Sequence, residues 1–284
     1  MSSKRSETTY QKINTIFKRD ENNIIMPYDT LTQPEFEYLR NLKWHCEEKI
    51  DGTNIRIEMT HELLYDDTFE PYSLHFEVKY KGKTDNANVA GDLIETLKRQ
   101  YPADKVAKAF GYDEYIGIDK LEDFGLKLVN DDKEGLKVIR TNGNPLPNKI
   151  VIYGEGYGAG IQSGGYYRKD KAFIMFDVAV DGKYLTIEQR NEIGIALDAD
   201  MVPFIDDMTI DEAIEFVKKG FDSRIASETH PAEGLVVRPM ITLYGRNGER
   251  IITKIKTCDF SDYFRKYGTY DKVEQIPNPK AKAE

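Results

Sequence analysis

Three features of this 284-residue chain predict an α+β fold with largely antiparallel strands. Strand patterns outnumber helical ones, turn signals such as "RNGE" at 246–249 join strands as hairpins, and two helices with their own caps lie between strands. An apolar content of 40% together with 18 tyrosines describes a chain that folds, because disordered chains lack such an aromatic load. The length suits one compact domain with an appendage, or two small domains.

Taken in order, "TQPEFEYLRNL" predicts a first helix, with Thr32 as N-cap, Pro34 in the first turn and Glu35 three residues after the cap. "NIRIEM" then alternates, Ile55, Ile57 and Met59 on one face and Arg56 and Glu58 on the other, which predicts a half-buried strand. Helical spacing follows in Gly91–Gln100 and after Pro102. Residues 111–148 are rich in Gly and Asp and end in the turn-dense "TNGNPLPN", so they are expected to be an insertion. Strand signals resume in "KIVIYGE", "AFIMFDVAV", "EGLVVRP" and "RIITKIK". The capping boxes pair Thr186 with Gln189 and Thr209 with Glu212, and the second helix is expected to stop at Gly220. The polar end "IPNPKAKAE" reads as frayed.

Several classes are disfavoured. The apolar runs are too short to span a bilayer and the N-terminal stretch lacks a signal peptide's apolar segment, so a cytoplasmic protein without membrane contact is expected. Cys46 and Cys258 have no zinc-ligand spacing and are expected to be reduced and structural. A net charge of -9 argues against a generic nucleic-acid coat. Lysines nonetheless cluster at Lys79, Lys81 and Lys83 and at Lys254 and Lys256, which leaves room for a locally basic groove.

The chemistry begins with "KIDG" at 49–52, which taken alone describes a surface lysine before a turn. Lys254 and Lys256 are two apart in a strand, so they share a face while Ile255 points the other way. That face is either solvated or a clamp for an anion, and beside a third lysine it would lower that lysine's pKa by like-charge repulsion. Such help matters, since an unperturbed lysine is neutral in only about four parts in ten thousand at pH 7. Glu155 sits between glycines at a strand end, where backbone can approach a ligand closely. Phe176 and Asp177 face opposite ways, and spacing alone makes Phe176 plain core. Glu233 stands at the mouth of an apolar strand, where a carboxylate needs a partner, a metal ion or an ammonium.

In order, "KIDG", "YGEGYG" (153–158), "IMFD" (174–177), "EGLVVR" (233–238) and "KIK" (254–256) resemble the motifs of the covalent nucleotidyltransferases, which comprise DNA ligases, RNA ligases and messenger-RNA capping enzymes. Asn54 after "KIDGT", the pair Phe176-Asp177, "INTIFKRD" and "GKTDNAN" look most like the phage and bacterial ATP-dependent RNA ligases of the second type, over roughly residues 10–260. The resemblance implies an adenylyltransferase domain of antiparallel sheets flanked by helices. It implies that Lys49 attacks the α-phosphorus of ATP, expels pyrophosphate and holds AMP as a phosphoramidate. Lys254 and Lys256 would bind the α-phosphate, Glu155 the ribose hydroxyls and Phe176 the adenine ring, with backbone groups from Glu48 to Ile50 reading the adenine edge. Glu233, with Asp51 and Asn54, would position hydrated Mg²⁺. The AMP would pass to a 5′-phosphate on RNA or an RNA-containing strand, and a 3′-hydroxyl would displace it.

Two departures qualify this resemblance. The family's arginine for the incoming phosphate aligns with Lys83, which keeps the charge and loses the bidentate fork. Only 28 residues follow Lys256, too few for a C-terminal OB-fold, so the expectation is an N-terminal segment at 1–48 with one helix, a core at 49–265 and a polar tail at 266–284. The alternatives are a DNA nick ligase, disfavoured by Asn54 and by the missing OB-fold, and a nucleotide- or end-binding module without turnover, which would not need the nucleophile. A monomer is the default.

Overall fold

The "NIRIEM" alternation lies in a 13-residue strand, Thr53–Tyr65, whose two faces are both closed off over Ile55–Met59. The computed structural model describes residues 8–21, 25, 30–131, 135–162 and 164–260. The frayed tail expected at 266–284 lies outside the described residues.

In chain order the elements are β1 (Asn14–Thr15), α1 (Pro34–Tyr38), β2 (Trp44–Glu48), β3 (Thr53–Tyr65), β4 (Pro71–Gly82), α2 (Gly91–Gln100), α3 (Ala103–Ala109) and β5 (Tyr115–Gly117). There follow a 3-10 turn at Ile118–Phe124, β6 (Leu126–Asp131), β7 (Gly135–Arg140), β8 (Lys149–Tyr157), β9 (Ala172–Val180), β10 (Lys183–Tyr184) and α4 (Ile187–Ala196). β11 (Phe204–Met208), α5 (Ile210–Lys219), β12 (Gly234–Pro239) and β13 (Thr253–Lys256) complete the order. The fold is mixed α and β with mainly antiparallel sheets, as expected. Among the described residues no helix is long and apolar enough to cross a membrane.

The chain divides into two compact units, Met1–Thr9 with Asn54–Gly156 and Ala172–Met201, and Tyr10–Thr53 with Tyr157–Lys171 and Val202–Glu284. The first carries a six-stranded sheet in the order β10-β9-β8-β3-β4-β5 and the separate hairpin β6-β7. β5 extends the sheet edge along Ser73–His75, and the hairpin lies within residues 111–148. The expected half-buried strand is instead buried on both faces over Ile55–Met59. Arg56 is fully buried, and its guanidinium meets Glu58 at 2.9 Å and Asp85 at 2.8 Å, gives a hydrogen bond to the Gly82 carbonyl at 2.8 Å and another to the Thr8 hydroxyl. Lys81 reaches the other Glu58 oxygen at 3.0 Å. The polar face is thus a buried ion network, which sequence alternation cannot distinguish from a solvated face.

The second unit carries the sheet β1-β13-β12-β2-β11, antiparallel except where β1 runs parallel to β13. Trp44, Cys46, Leu235, Val237 and Ile255 point into its core and meet Phe36 and the Ile210, Ala213 and Val217 face of α5. Both expected capping boxes form, at Thr186 with Gln189 and Thr209 with Glu212, and Gly220 ends α5 as C-cap. The first helix differs from expectation: it spans only Pro34–Tyr38, and its N-cap Gln33 makes no side-chain cap. The Thr32 hydroxyl donates instead to the carbonyls of Thr15 (2.5 Å) and Ile16 (3.1 Å), so strand-like pairing outcompetes the cap.

Candidate functional site

Lys49 lies one residue beyond β2, and its N–H donates to the Gly234 carbonyl at 2.9 Å. That bond places it beside Glu233, the residue before β12, while the register of β12 on β13 sets Gly234 opposite Lys256 and Val236 opposite Lys254. Glu233 therefore sits between two lysines. Its Oε2 is 2.6 Å from Lys49 Nζ and its Oε1 2.8 Å from Lys256 Nζ. Lys49 Nζ also donates to the Ile50 carbonyl at 3.3 Å. The partner expected of Glu233 is thus ammonium.

The electrostatics follow from this geometry. Burial alone would raise the Glu233 carboxyl, but the charges and hydrogen bonds of Lys49 and Lys256 outweigh it and hold the group below its ordinary 4.5. Burial pushes Lys256 down, and Glu233 more than restores it. Lys254 has no such counterion at contact among the described residues; burial first, then the charges of Lys49 and Lys256, bring it down to about 8. Glu233 stands between Lys49 and Lys256, and Lys254, without a carboxylate at contact among the described residues, carries the depression to about 8.

The neighbouring residues are tightly held. Glu48 is buried; its Oε1 accepts the Ser223 hydroxyl at 2.5 Å, its Oε2 the Arg224 N–H at 2.8 Å, and burial raises its pKa. Its own N–H donates to the Pro203 carbonyl at 2.9 Å. Ile50 and Asp51 are buried, and the Asp51 N–H donates to the Tyr167 hydroxyl at 3.1 Å. Ser223, Arg224 and Tyr167 carry no motif and escaped sequence reasoning; the only hint was that Tyr167 ends the Gly-rich run.

Lys49, Glu233, Lys254 and Lys256 are brought together, with Glu48, Ile50 and Asp51 on the same chain turn, all in the second unit. Asn54, Lys83, Glu155 and Phe176 belong to the first unit. There Glu155 is half-buried on β8 between buried Gly154 and Gly156, and Gly154 packs so closely on Phe173 and Ile174 that a Cβ has no room. Phe176 is half-buried between fully buried Met175 and Asp177, and its carbonyl accepts Arg190 at 3.0 Å. Asn54 is the second residue of β3, with its side-chain oxygen buried and no hydrogen bond to it among the described residues. Lys83 is exposed just after β4 and makes no ion pair among the described residues, while Lys81 is held by Glu58 and Asp85.

For a metal, the described residues contain no group of three or more His, Cys, Asp or Glu arranged as a cage. Both Glu233 oxygens are engaged by ammonium groups. Asp51 and Glu233 are thus carboxylates that could meet a cation through its water shell but form no all-protein cage among the described residues.

A family model described as RNA ligase matches residues 42–256. No curated protein matches the chain. Among solved structures the chain is similar to a Naegleria gruberi RNA ligase with PPi, at 17% identity over 94% of this chain and 64% of that one, with a TM-score of 0.46. A mutant of that ligase with ATP and Mn matches at 16% identity, 93% of this chain and 59% of that one, TM-score 0.49. Another with AMP and Mn matches at 16%, 93% and 63%, TM-score 0.47. The chain spans about three fifths of the length of these solved chains. With its family model running from Leu42 through the whole lysine and glutamate cluster to Lys256, the chain belongs to the RNA ligase family.

Proposed function

We propose that this protein is an ATP-dependent RNA ligase built on the nucleotidyltransferase fold, working through a lysyl-AMP at Lys49. The observation that carries the reading is the cluster itself: Lys49 bonded to Glu233 at 2.6 Å, with Lys256 on the other carboxylate oxygen and a weakly basic Lys254 beside them. A solvated lysine face would not build a largely desolvated carboxylate between two ammonium groups.

In the first step the Lys49 ammonium gives a proton to solvent, the freed Nζ lone pair forms a bond to the α-phosphorus, and the electron pair of the broken P–O bond leaves with pyrophosphate. Lys254 and Lys256 lie on one face of β13, where they can neutralise the charge growing on the α-phosphate. Glu155 and Phe176 take the ribose and adenine roles that their motifs imply, Phe176 as the half-buried aromatic of β9. The backbone from Glu48 to Ile50 reads the adenine edge, and Asn54 offers its buried side-chain oxygen to the cofactor. Asp51 and Glu233 are the residues that would hold Mg²⁺, which when bound would supply further neutralisation of the phosphates. Transfer of AMP to a 5′-phosphate, met by Lys83, and displacement by a 3′-hydroxyl complete the seal.

The test is incubation with Mg²⁺ and ATP labelled on the α-phosphate, followed by denaturation. An acid-labile label that disappears in Lys49→Ala is expected. No adduct, or one that survives Lys49→Ala, overturns the mechanism. Nicked duplexes with RNA or DNA on each side of the nick then identify the strand that the adenylated protein seals.

A further inference from the structure

The run Tyr157–Lys171 folds upon itself. Within it the Ala159 N–H donates to Arg168 (3.0 Å), Ile161 to Gly158 (3.1 Å), Gly164 to Ile161 (2.9 Å) and Tyr167 to Gly164 (3.1 Å), all at carbonyl oxygens. Gly158 holds φ +115° against the Asp170 carbonyl, and a Cβ on Gly164 would press on the Gly158 backbone, so side chains are shut out at both positions. This compaction drives Tyr167 inward until it is 2% exposed, edge-on to Tyr157 with ring centres 5.8 Å apart.

There the Tyr167 hydroxyl accepts the Asp51 N–H at 3.1 Å, and the ring lies 4.3 Å centre to centre from that of Tyr166. Tyr166 is itself fixed: its ring stacks on His230 with centres 3.3 Å apart, and its carbonyl accepts both the N–H (3.1 Å) and the hydroxyl (2.9 Å) of Ser227. The turn after Lys49 is thereby gripped on two sides. The Lys49 N–H is bound to Gly234, and two residues on the Asp51 N–H is bound to Tyr167.

We infer that Tyr167 is a positioning residue for the nucleophile: its buried hydroxyl holds the Asp51 N–H, and so fixes the direction in which the Lys49 side chain leaves the turn. The link to reaction rate rests on the proposed role of Lys49; the tether itself does not. Asp51 has no free choice of partner here, because a buried N–H without an acceptor is rarely tolerated. A loosened turn would spread Lys49 Nζ over positions unsuited to in-line attack, and small misplacements of a reacting atom are costly in rate.

Tyr167→Phe removes the hydroxyl and keeps the ring. Hydrogen exchange is measured residue by residue, alongside single-turnover adenylation over a range of ATP concentrations. The expected result is Asp51 amide exchange faster by about tenfold, unchanged exchange in Trp44–Glu48, and a maximal adenylation rate lower by about tenfold with the ATP half-saturation unchanged. Tyr166→Phe, which leaves the Asp51 acceptor in place, is expected to keep the Asp51 amide protected. Unchanged Asp51 exchange in Tyr167→Phe, an unchanged maximal rate, or equal deprotection by both variants overturns the inference. If the unaltered protein forms no adduct, the ligase reading fails, and Asp51 exchange alone decides whether the tether exists.

Discussion

Glu233 sets a carboxylate oxygen 2.6 Å from the ammonium of Lys49, across 184 positions of sequence. Its other oxygen holds Lys256, so one carboxylate balances two cations in a largely desolvated place. Glu233→Gln leaves those cations uncompensated and is expected to cost about 3 kcal/mol in urea unfolding at pH 7, as well as the adduct. The folded Glu233 titrates below its ordinary 4.5, so its contribution is present above about pH 4.5 and is lost as pH falls through the folded value. The difference between the two proteins should therefore close in acid. A gap that persists unchanged at pH 3 would contradict the ion-pair account.

Lys254 makes the opposite prediction. With a folded pKa of about 8 against an ordinary 10.5, it binds fewer protons folded than unfolded between those values. Its burden on stability is full below about pH 8 and is relieved as pH rises to 10.5. Lys254→Met is thus expected to stabilise the protein at pH 7 by roughly 1–2 kcal/mol, a figure reduced for solvent around a partly exposed ammonium, with the gain fading toward pH 10.5. Paired thermal melts at pH 7 and 10 check it, and a destabilised variant at pH 7 would refute it. The same variant should lose the adduct, which would make Lys254 a site where function is kept at the expense of stability.

Arg56 is fully buried with Glu58 and Asp85 as partners. Arg56→Met is expected to cost about 3–5 kcal/mol, because it takes the buried ion partner from one Glu58 oxygen and leaves Lys81 alone to balance that carboxylate. Arg56→Met combined with Glu58→Met should recover part of that loss, and a double-mutant cycle by urea unfolding measures how much. Simple additivity would show that the pair is not coupled.

Lys83 is exposed and makes no ion pair among the described residues. Under the ligase reading Lys83→Ala should label at Lys49 as the unaltered protein does, yet transfer AMP to a 5′-phosphate end about tenfold to a hundredfold more slowly. Lys83→Arg should restore transfer. Lys81→Ala should instead lower stability, since Lys81 is spent on Glu58. Loss of labelling in Lys83→Ala would remove Lys83 from the role of end-phosphate contact.

Features that depend on near neighbours could be read from the chain alone. The capping boxes at Thr186 and Thr209 need only residues three apart, and the common face of Lys254 and Lys256 follows from the two-residue repeat of a strand. The order of the motifs pointed to Lys49 and Glu233 together, and a 2.6 Å ion pair joins them. Other assignments depended on which strand lies beside which. Arg56 and Glu58 looked like one half-exposed face of a strand yet are buried as an ion pair, and Thr32 looked like a cap until Thr15 and Ile16 offered it carbonyl oxygens. The β13-β12-β2 order is what places Lys256, Glu233 and Lys49 side by side, and it leaves Lys254 as the cation whose pKa falls to about 8. Residue types and their spacing carry the chemistry a segment is capable of. Burial, counterions and tethers such as Tyr167 on Asp51 arise from contacts between distant segments, and these set how each charge behaves.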